Sequence, residues 1–176
     1  MKRFFLKVFI VVVIASSVFI NKTNAQPINL GGGIVIGTDR PNFGLRVQGT
    51  YGMDFLLENL SASAGFTFFI PVSPGNTTYN RWAIDIDGHY KFFEASGFSF
   101  YAIGGLNIAH YYAKTTYTYW GGVNDYVTVS GTKPGLNVGA GAIYSFSDKM
   151  KAFSEFKYIL SNYDQAEISI GVLFEL

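Results

Sequence analysis

From Arg81 to Phe93 the chain alternates in steps of two: Trp82, Ile84, Ile86, Tyr90 and Phe92 fall on one side of an extended backbone, and Asp85, Asp87, His89 and Lys91 on the other. That period is the mark of a β-strand with two unlike faces. The same alternation recurs at eight places, which the sequence puts at 28–37, 43–53, 60–71, 81–93, 98–114, 135–146, 151–160 and 166–176. Most of these are as long as the ~9–11 residues with which a tilted strand crosses a bilayer, and 98–114 is long enough to project beyond one.

The N-terminal end and the composition point the same way. Met1, Lys2 and Arg3 precede an apolar stretch, Val8 to Ile20, broken only by Ser16 and Ser17, and Thr23-Asn24-Ala25 follows. A basic start, a short apolar run and small residues before a cut describe a secretory signal, with cleavage expected after Ala25. The apolar run is shorter than the ~20 residues a spanning helix needs. The expected division is therefore a signal peptide over 1–25 and one domain over 26–176. The chain has no cysteine, so neither a lipid-modified cysteine nor a disulfide is available. Without Lys2, Arg3, Lys7 and Lys22 the basic residues fall from 13 to 9 against 12 acidic ones, and the net charge moves from +1 to −3. Nucleic acid is not an expected partner of such a chain.

Charged residues are 14% of the sequence and aromatics 18%, where soluble domains carry about 25% charged residues. Beyond residue 25 every apolar run is soon cut by Gly, Ser, Asn or a charge, so no spanning helix is expected. An exported chain this apolar crosses a bilayer by pairing its strands and closing the sheet. Connections after strands two, four and six (54–59, 94–97, 147–150) read as short turns; those after strands one, three, five and seven include the longer segments 72–80 and 115–134. Short turns on the periplasmic side and long loops outside is the outer-membrane pattern.

The contents of the faces decide which side is out. Phe43, Leu45, Val47, Tyr51 and Met53 oppose Gly44, Arg46, Gln48, Thr50 and Gly52; Ala166, Ile168, Ile170, Val172, Phe174 and Leu176 oppose Glu167, Ser169, Gly171 and Glu175. The polar face is mostly small, with a few charges, which suits the narrow interior of an eight-stranded barrel better than a water-facing surface. Aromatics on the apolar face gather toward the strand ends, Phe43, Trp82 and Tyr112 at one rim and Tyr51, Tyr90, Phe92, Phe98, Tyr144, Phe146 and Phe174 at the other, as two interfacial girdles would. Gly31-Gly32-Gly33 is read as relief of crowding in a strongly curved sheet; no helix follows to make it a phosphate loop.

The turn Ser147-Asp148-Lys149-Met150, the start of strand five at Phe98-Ser99-Phe100-Tyr101-Ala102, and the terminal Gly171-Val172-Leu173-Phe174-Glu175-Leu176 resemble the small eight-stranded outer-membrane β-barrel family, the OmpA/OmpX type, and most of all its Bacteroidetes-like versions. The resemblance covers essentially the whole mature chain. It implies an all-β, eight-stranded antiparallel up-and-down transmembrane barrel in the outer membrane of a Gram-negative cell. It also implies recognition of the last strand by the barrel-assembly machinery. In the family that strand usually ends in an aromatic; here Leu176 is final and Phe174 lies two positions earlier on the same face.

Asp85, Asp87 and His89 share a strand face and suggest a metal site or an acid–base cluster. Successive members are roughly 7 Å apart, too far for all three to hold one small ion. A structural lumen network is expected instead, with Asp85, Asp87, Glu155, Glu167 and Glu175 offset by Arg46, Lys91 and Lys157, and His89 among them. Lipid A deacylases of this type pair a His with a Ser two residues along one strand, whereas His89 and His110 have Lys91 and Tyr112 there. The sequence thus predicts a non-enzymatic barrel without cofactor or metal, monomeric, embedded among outer-membrane lipid and lipopolysaccharide, and too narrow for a general porin. Tyr117, Tyr119, Trp120 and Tyr126 of the 115–134 segment are the candidate surface contacts. The alternatives are a secreted, lipocalin-like barrel with its apolar face turned inward around a small apolar ligand and, ranked below it, a lipid A-modifying outer-membrane enzyme.

Overall fold

The structure is a computed structural model and describes residues 28–118, 124–162 and 164–176. The expected signal peptide lies outside these residues. Eight antiparallel strands follow in chain order: β1 (Ile28–Gly37), β2 (Phe43–Gly52), β3 (Leu60–Val72), β4 (Thr77–Ala95), β5 (Phe98–Thr118), β6 (Asn124–Ser147), β7 (Met150–Leu160) and β8 (Gln165–Glu175). Each pairs with its sequence neighbour, and β8 pairs back onto β1 from Asn29↔Glu175 to Gly37↔Glu167, closing the barrel. Among the described residues no helix is long and apolar enough to cross a membrane.

The alternation is realised in space as the face contents predict. Arg46, Gln48, Ser63, Thr67, Asp85, Asp87, Asn107, Asn137, Glu155, Lys157, Glu167 and Ser169 are buried inside, while Leu45, Val47, Phe66, Phe68, Ile84, Ile86, Leu106, Leu136, Val138, Phe156, Ile168 and Ile170 are exposed outside. The interior also takes apolar side chains from the inward parity, Val35, Phe69, Ile103, Phe153, Ile159 and Leu173.

Large inward groups lie over glycines of the next strands. A Cβ added to Gly141 would sit 2.3 Å from the Tyr101 ring, and one on Gly65 would sit 2.6 Å from the Arg46 guanidinium. The closing seam is equally tight, since a Cβ on Gly33 of β1 would lie 2.2 Å from the Ile170 carbonyl oxygen of β8. The glycine run thus sits where strands approach each other, in agreement with its reading as relief of crowding.

Strand ends differ from expectation in one region. The segments expected as long loops, 72–80 and 115–134, are largely strand: β4 begins at Thr77, β5 continues to Thr118 and β6 begins at Asn124. Register persists from Ala109↔Lys133 to Thr118↔Asn124. Along residues 125–130 of β6 every side chain is exposed, so the run Tyr126-Val127-Thr128-Val129-Ser130 shows no inward-facing apolar period to detect. Pro134 stands within β6, which pairs with β7 only from Leu136↔Leu160 onward. Pro134 therefore lies where β6 is an edge, the place a sheet tolerates proline.

At the opposite end, which carries both barrel termini, β4 and β5 are joined by Ser96 and Gly97, with φ of 51° and 82°. Two positive φ values in a two-residue hairpin match the twist of the flanking strands.

Candidate functional site: a filled lumen and a projecting ribbon

Five strands send polar side chains to one level at mid-barrel. Arg46 of β2 donates from Nη1 to Asp85 Oδ2 of β4 at 2.5 Å and from Nε to Gln48 Oε1 at 2.7 Å. Lys157 of β7 places Nζ 3.0 Å from Asp85 Oδ2 and 3.4 Å from Asp87 Oδ2. Arg46 Nη2 stands 4.0 Å from Asp87 Oδ2. Asn107 of β5 donates to Asp85 Oδ1 at 2.8 Å, and Asn137 of β6 donates to Asp85 Oδ1 at 2.8 Å and Asp87 Oδ1 at 2.7 Å. All four charged side chains are almost wholly buried. Two cations against two carboxylates, with amides on the remaining oxygens, is the arrangement that lets ions persist in so dry a place.

Beside this cluster the Tyr101 hydroxyl donates to Glu155 Oε1 at 2.9 Å, and the His89 ring stacks on Tyr101 at 4.7 Å between centroids. His89 is therefore packed against an aromatic ring, and Asp87 is held by Asn137 and Lys157. Among the described residues no group of three His, Cys, Asp or Glu side chains converges on a metal position.

Two members of the expected network, Glu167 and Glu175, lie in other layers and pair with basic residues outside it. Toward the ribbon end Glu167 accepts from Arg81 Nη2, while Arg81 Nη1 donates to Gln165. The Arg81 guanidinium also lies 3.6 Å from the centre of the Phe69 ring. Toward the other end Glu175 accepts from Lys151 at 2.7 Å, and Lys151 also reaches Asn29 Oδ1 at 3.1 Å. Lys91 does not join the central cluster; it pairs with Glu94 at the rim, partly exposed. Parity alone marks Arg81 and Lys151 as inward residues, but which layer each joins depends on the stagger between strands, which alternation does not reveal. Below the central cluster the lumen opens as a vestibule of about 250 Å³ over His89, Tyr101, Ile143 and Leu173.

On the outer surface Trp82 stacks on His110, with centroids 5.3 Å apart. His110 Nδ1 lies 2.9 Å from the Thr132 hydroxyl of β6. This His–Thr pair crosses between strands and is invisible to a search two residues along one strand. Among the described residues no carboxylate hydrogen-bonds the ring, so the third member of a nucleophile-activating arrangement is lacking there.

The ribbon formed by the upper parts of β5 and β6 carries Tyr117 and Tyr126, both exposed, with Lys114 Nζ 4.3 Å from the Tyr126 ring centre. Val129 beside them is 67% exposed. Tyr119 and Trp120 lie outside the described residues.

A closed eight-stranded barrel with an apolar exterior and a polar, side-chain-filled interior is the architecture of the small outer-membrane β-barrels. Solved structures of that class superpose on most of the chain. Neisserial surface protein A (NspA) aligns over 85% of this chain and 96% of its own, with a TM-score of 0.61 and 17% identity. The N-terminal β-barrel domain of Pseudomonas aeruginosa OprF aligns over 86% and 98%, with a TM-score of 0.62 and 16% identity. Ail, the attachment invasion locus protein of Yersinia pestis, aligns over 86% and 97%, with a TM-score of 0.55 and 12% identity. No family model and no curated protein matches the sequence. At these identities the likeness lies in the fold.

Proposed function

We propose that the protein is a non-enzymatic resident of the outer membrane, exported by cleavage of residues 1–25, that acts as a structural barrel and meets external surfaces through the β5–β6 ribbon. One observation carries the membrane assignment: around the closed sheet the large apolar side chains point outward and the ions point inward. In water that orientation exposes an apolar surface far beyond the few hundred Å² of ordinary soluble monomers. In a bilayer it satisfies both the lipid and the backbone. It is also the reverse of what a lipocalin-like ligand binder requires.

The Arg46–Asp85–Lys157–Asp87 cluster occupies the middle of the lumen, which supports a closed barrel and not a general porin. The ribbon supports the surface role. Its tip carries exposed Tyr117 and Tyr126, and one edge of β6 is open to strand addition. Ail, of similar fold, is an attachment protein by name. Lipopolysaccharide and membrane lipid are the expected surroundings, and the barrel-assembly machinery the expected partner during biogenesis.

Fractionation tests the location. The expected result is recovery from detergent-extracted outer membranes with a heat-dependent shift on denaturing gels; a soluble periplasmic product would refute it. Adhesion of cells carrying the full chain, compared with cells carrying a ribbon-shortened chain, tests the surface role.

A further inference from the structure

The connections at the end that carries the barrel termini are not alike. Ser96-Gly97 and Asp148-Lys149 are tight and polar, whereas residues 53–59 read Met-Asp-Phe-Leu-Leu-Glu-Asn. At their centre Phe55, Leu56 and Leu57 are 69%, 64% and 53% exposed. Three consecutive apolar side chains at a strand connection would be an unusual way to meet water.

This turn is nevertheless well built. Met53 N–H donates to the Leu60 carbonyl at 2.8 Å, Leu56 N–H to the Met53 carbonyl at 2.9 Å, and Asn59 N–H to Asp54 Oδ1 at 2.9 Å. It is also two-faced. Asp54 and Asn59 line the mouth of the lumen vestibule, while Phe55, Leu56 and Leu57 take no part in that lining.

A second feature stands beside it. Lys91 N–H donates to the Asn59 carbonyl at 2.9 Å, which ties the turn to β4 where the β4–β5 register shifts between Lys91 and Phe93. Strict alternation would send Phe93 into the vestibule mouth. The shift pairs it with Phe100, an outward residue, so that Phe92 and Phe93 are both exposed outside. Phe93 and Phe100 then meet with ring centres 6.0 Å apart. The bulge and the turn together extend the apolar surface past the strand ends on this part of the rim.

We propose that the 53–59 turn is a membrane anchor, with Phe55, Leu56 and Leu57 seated in the periplasmic leaflet alongside Phe92 and Phe93. Two considerations select lipid as the occupant. The exposed trio belongs to a turn hydrogen-bonded to β4 beside the bulge that turns Phe92 and Phe93 outward with the lipid-facing residues. By itself it offers a few hundred Å² at most, well short of the ~800 Å² per partner of a standard protein interface. The anchor rests on the membrane-barrel assignment and adds to it a fixed depth for one side of the barrel.

The absence of cysteine permits a clean test. Single variants Leu56→Cys, Leu57→Cys, Asp148→Cys and Leu106→Cys of the mature chain are labelled with a small environment-sensitive fluorophore. Each is folded into phosphatidylcholine vesicles with or without brominated acyl chains, heat-dependent gel mobility serving as the check of folding. The labels at residues 56 and 57 are expected to be quenched by brominated chains about as strongly as the belt label at 106, and several-fold more than the label at 148. Aqueous iodide should reach only the last. If the labels at 56 and 57 follow the label at 148, the anchor is refuted and the barrel assignment stands. If they are shielded from both quenchers, a protein contact covers the turn and the lipid anchor is likewise refuted. If the label at 106 also escapes brominated lipid, the membrane assignment falls and the anchor with it.

Discussion

β5 and β6 are each one continuous strand, yet their lower and upper parts live under different rules. Below Gly135, β6 has neighbours on both sides, Asn107 and Asn137 hold the carboxylates of Asp85 and Asp87, and Tyr101 is fitted over Gly141. Above it β6 keeps only β5, and the described side chains of residues 125–130 are exposed. Closure, and not strand length or propensity, separates a region where substitution is costly from one where it is cheap. Stability resides in the lower part; the upper part is free to vary in what it presents.

The largest loss expected on one side of this divide comes from Asp85→Ala, which leaves Arg46 and Lys157 facing each other in a closed lumen. Breaking a buried ion cluster from one side costs about 3–5 kcal/mol, to be read as a lowered urea midpoint for unfolding from vesicles. Asp87→Ala should cost less, because Asp87 lies 3.4 Å from Lys157 and 4.0 Å from Arg46 where Asp85 is at 3.0 and 2.5 Å.

Arg81→Leu should follow at about 3 kcal/mol by leaving Glu167 unpaired, and adding Glu167→Gln should restore part of that loss. A deficit in the double variant as large as in the single one would show that packing on Phe69, and not the charge pair, is what Arg81 contributes. Gly141→Val, which collides with the Tyr101 ring, is expected to cost about 1–3 kcal/mol and to change the near-ultraviolet tyrosine signal.

On the other side of the divide, replacing residues 116–126 by an Asn-Gly turn should move the unfolding midpoint by no more than about 0.5 kcal/mol while lowering adhesion. A destabilisation comparable with that of Arg81→Leu would erase the contrast between the two parts. His110→Ala, which removes a ring stacked on Trp82 at the surface, should leave both the fold and the lipid A profile unchanged; an altered profile would require an enzymatic role for the His110–Thr132 pair.

The same divide explains what could be read from the chain. Every strand that borders the lumen was legible from Trp82, Ile84 and Ile86 opposing Asp85 and Asp87, and from equivalent rows elsewhere, because an apolar exterior and a packed interior force opposite chemistry onto alternate residues. The upper part of β6 was hidden because both its faces are exposed over residues 125–130, so Thr128 and Val129 experience similar surroundings. Within the lumen, parity identified who points inward but not who meets whom. Glu167 finds Arg81 and Glu175 finds Lys151 because of the stagger between strands, a property of the closed sheet as a whole. Lys91, two residues from His89 and on the inward parity, lies near the vestibule mouth and turns to Glu94 there.

The seam between β1 and β8 has a kinetic meaning. It joins the first and last strands of the barrel, so it can form only after everything between them has been delivered. Until then two strand edges carry unpaired N–H and C=O groups, each costing several kcal/mol in hydrocarbon and each a template for the wrong neighbour. Gly31, Gly33 and Gly171 put only backbone at three positions of the join, between larger pairs such as Leu30 with Phe174 and Ile34 with Ile170. Closing the β1–β8 seam is thus the pairing that removes the last two open strand edges of the barrel at once.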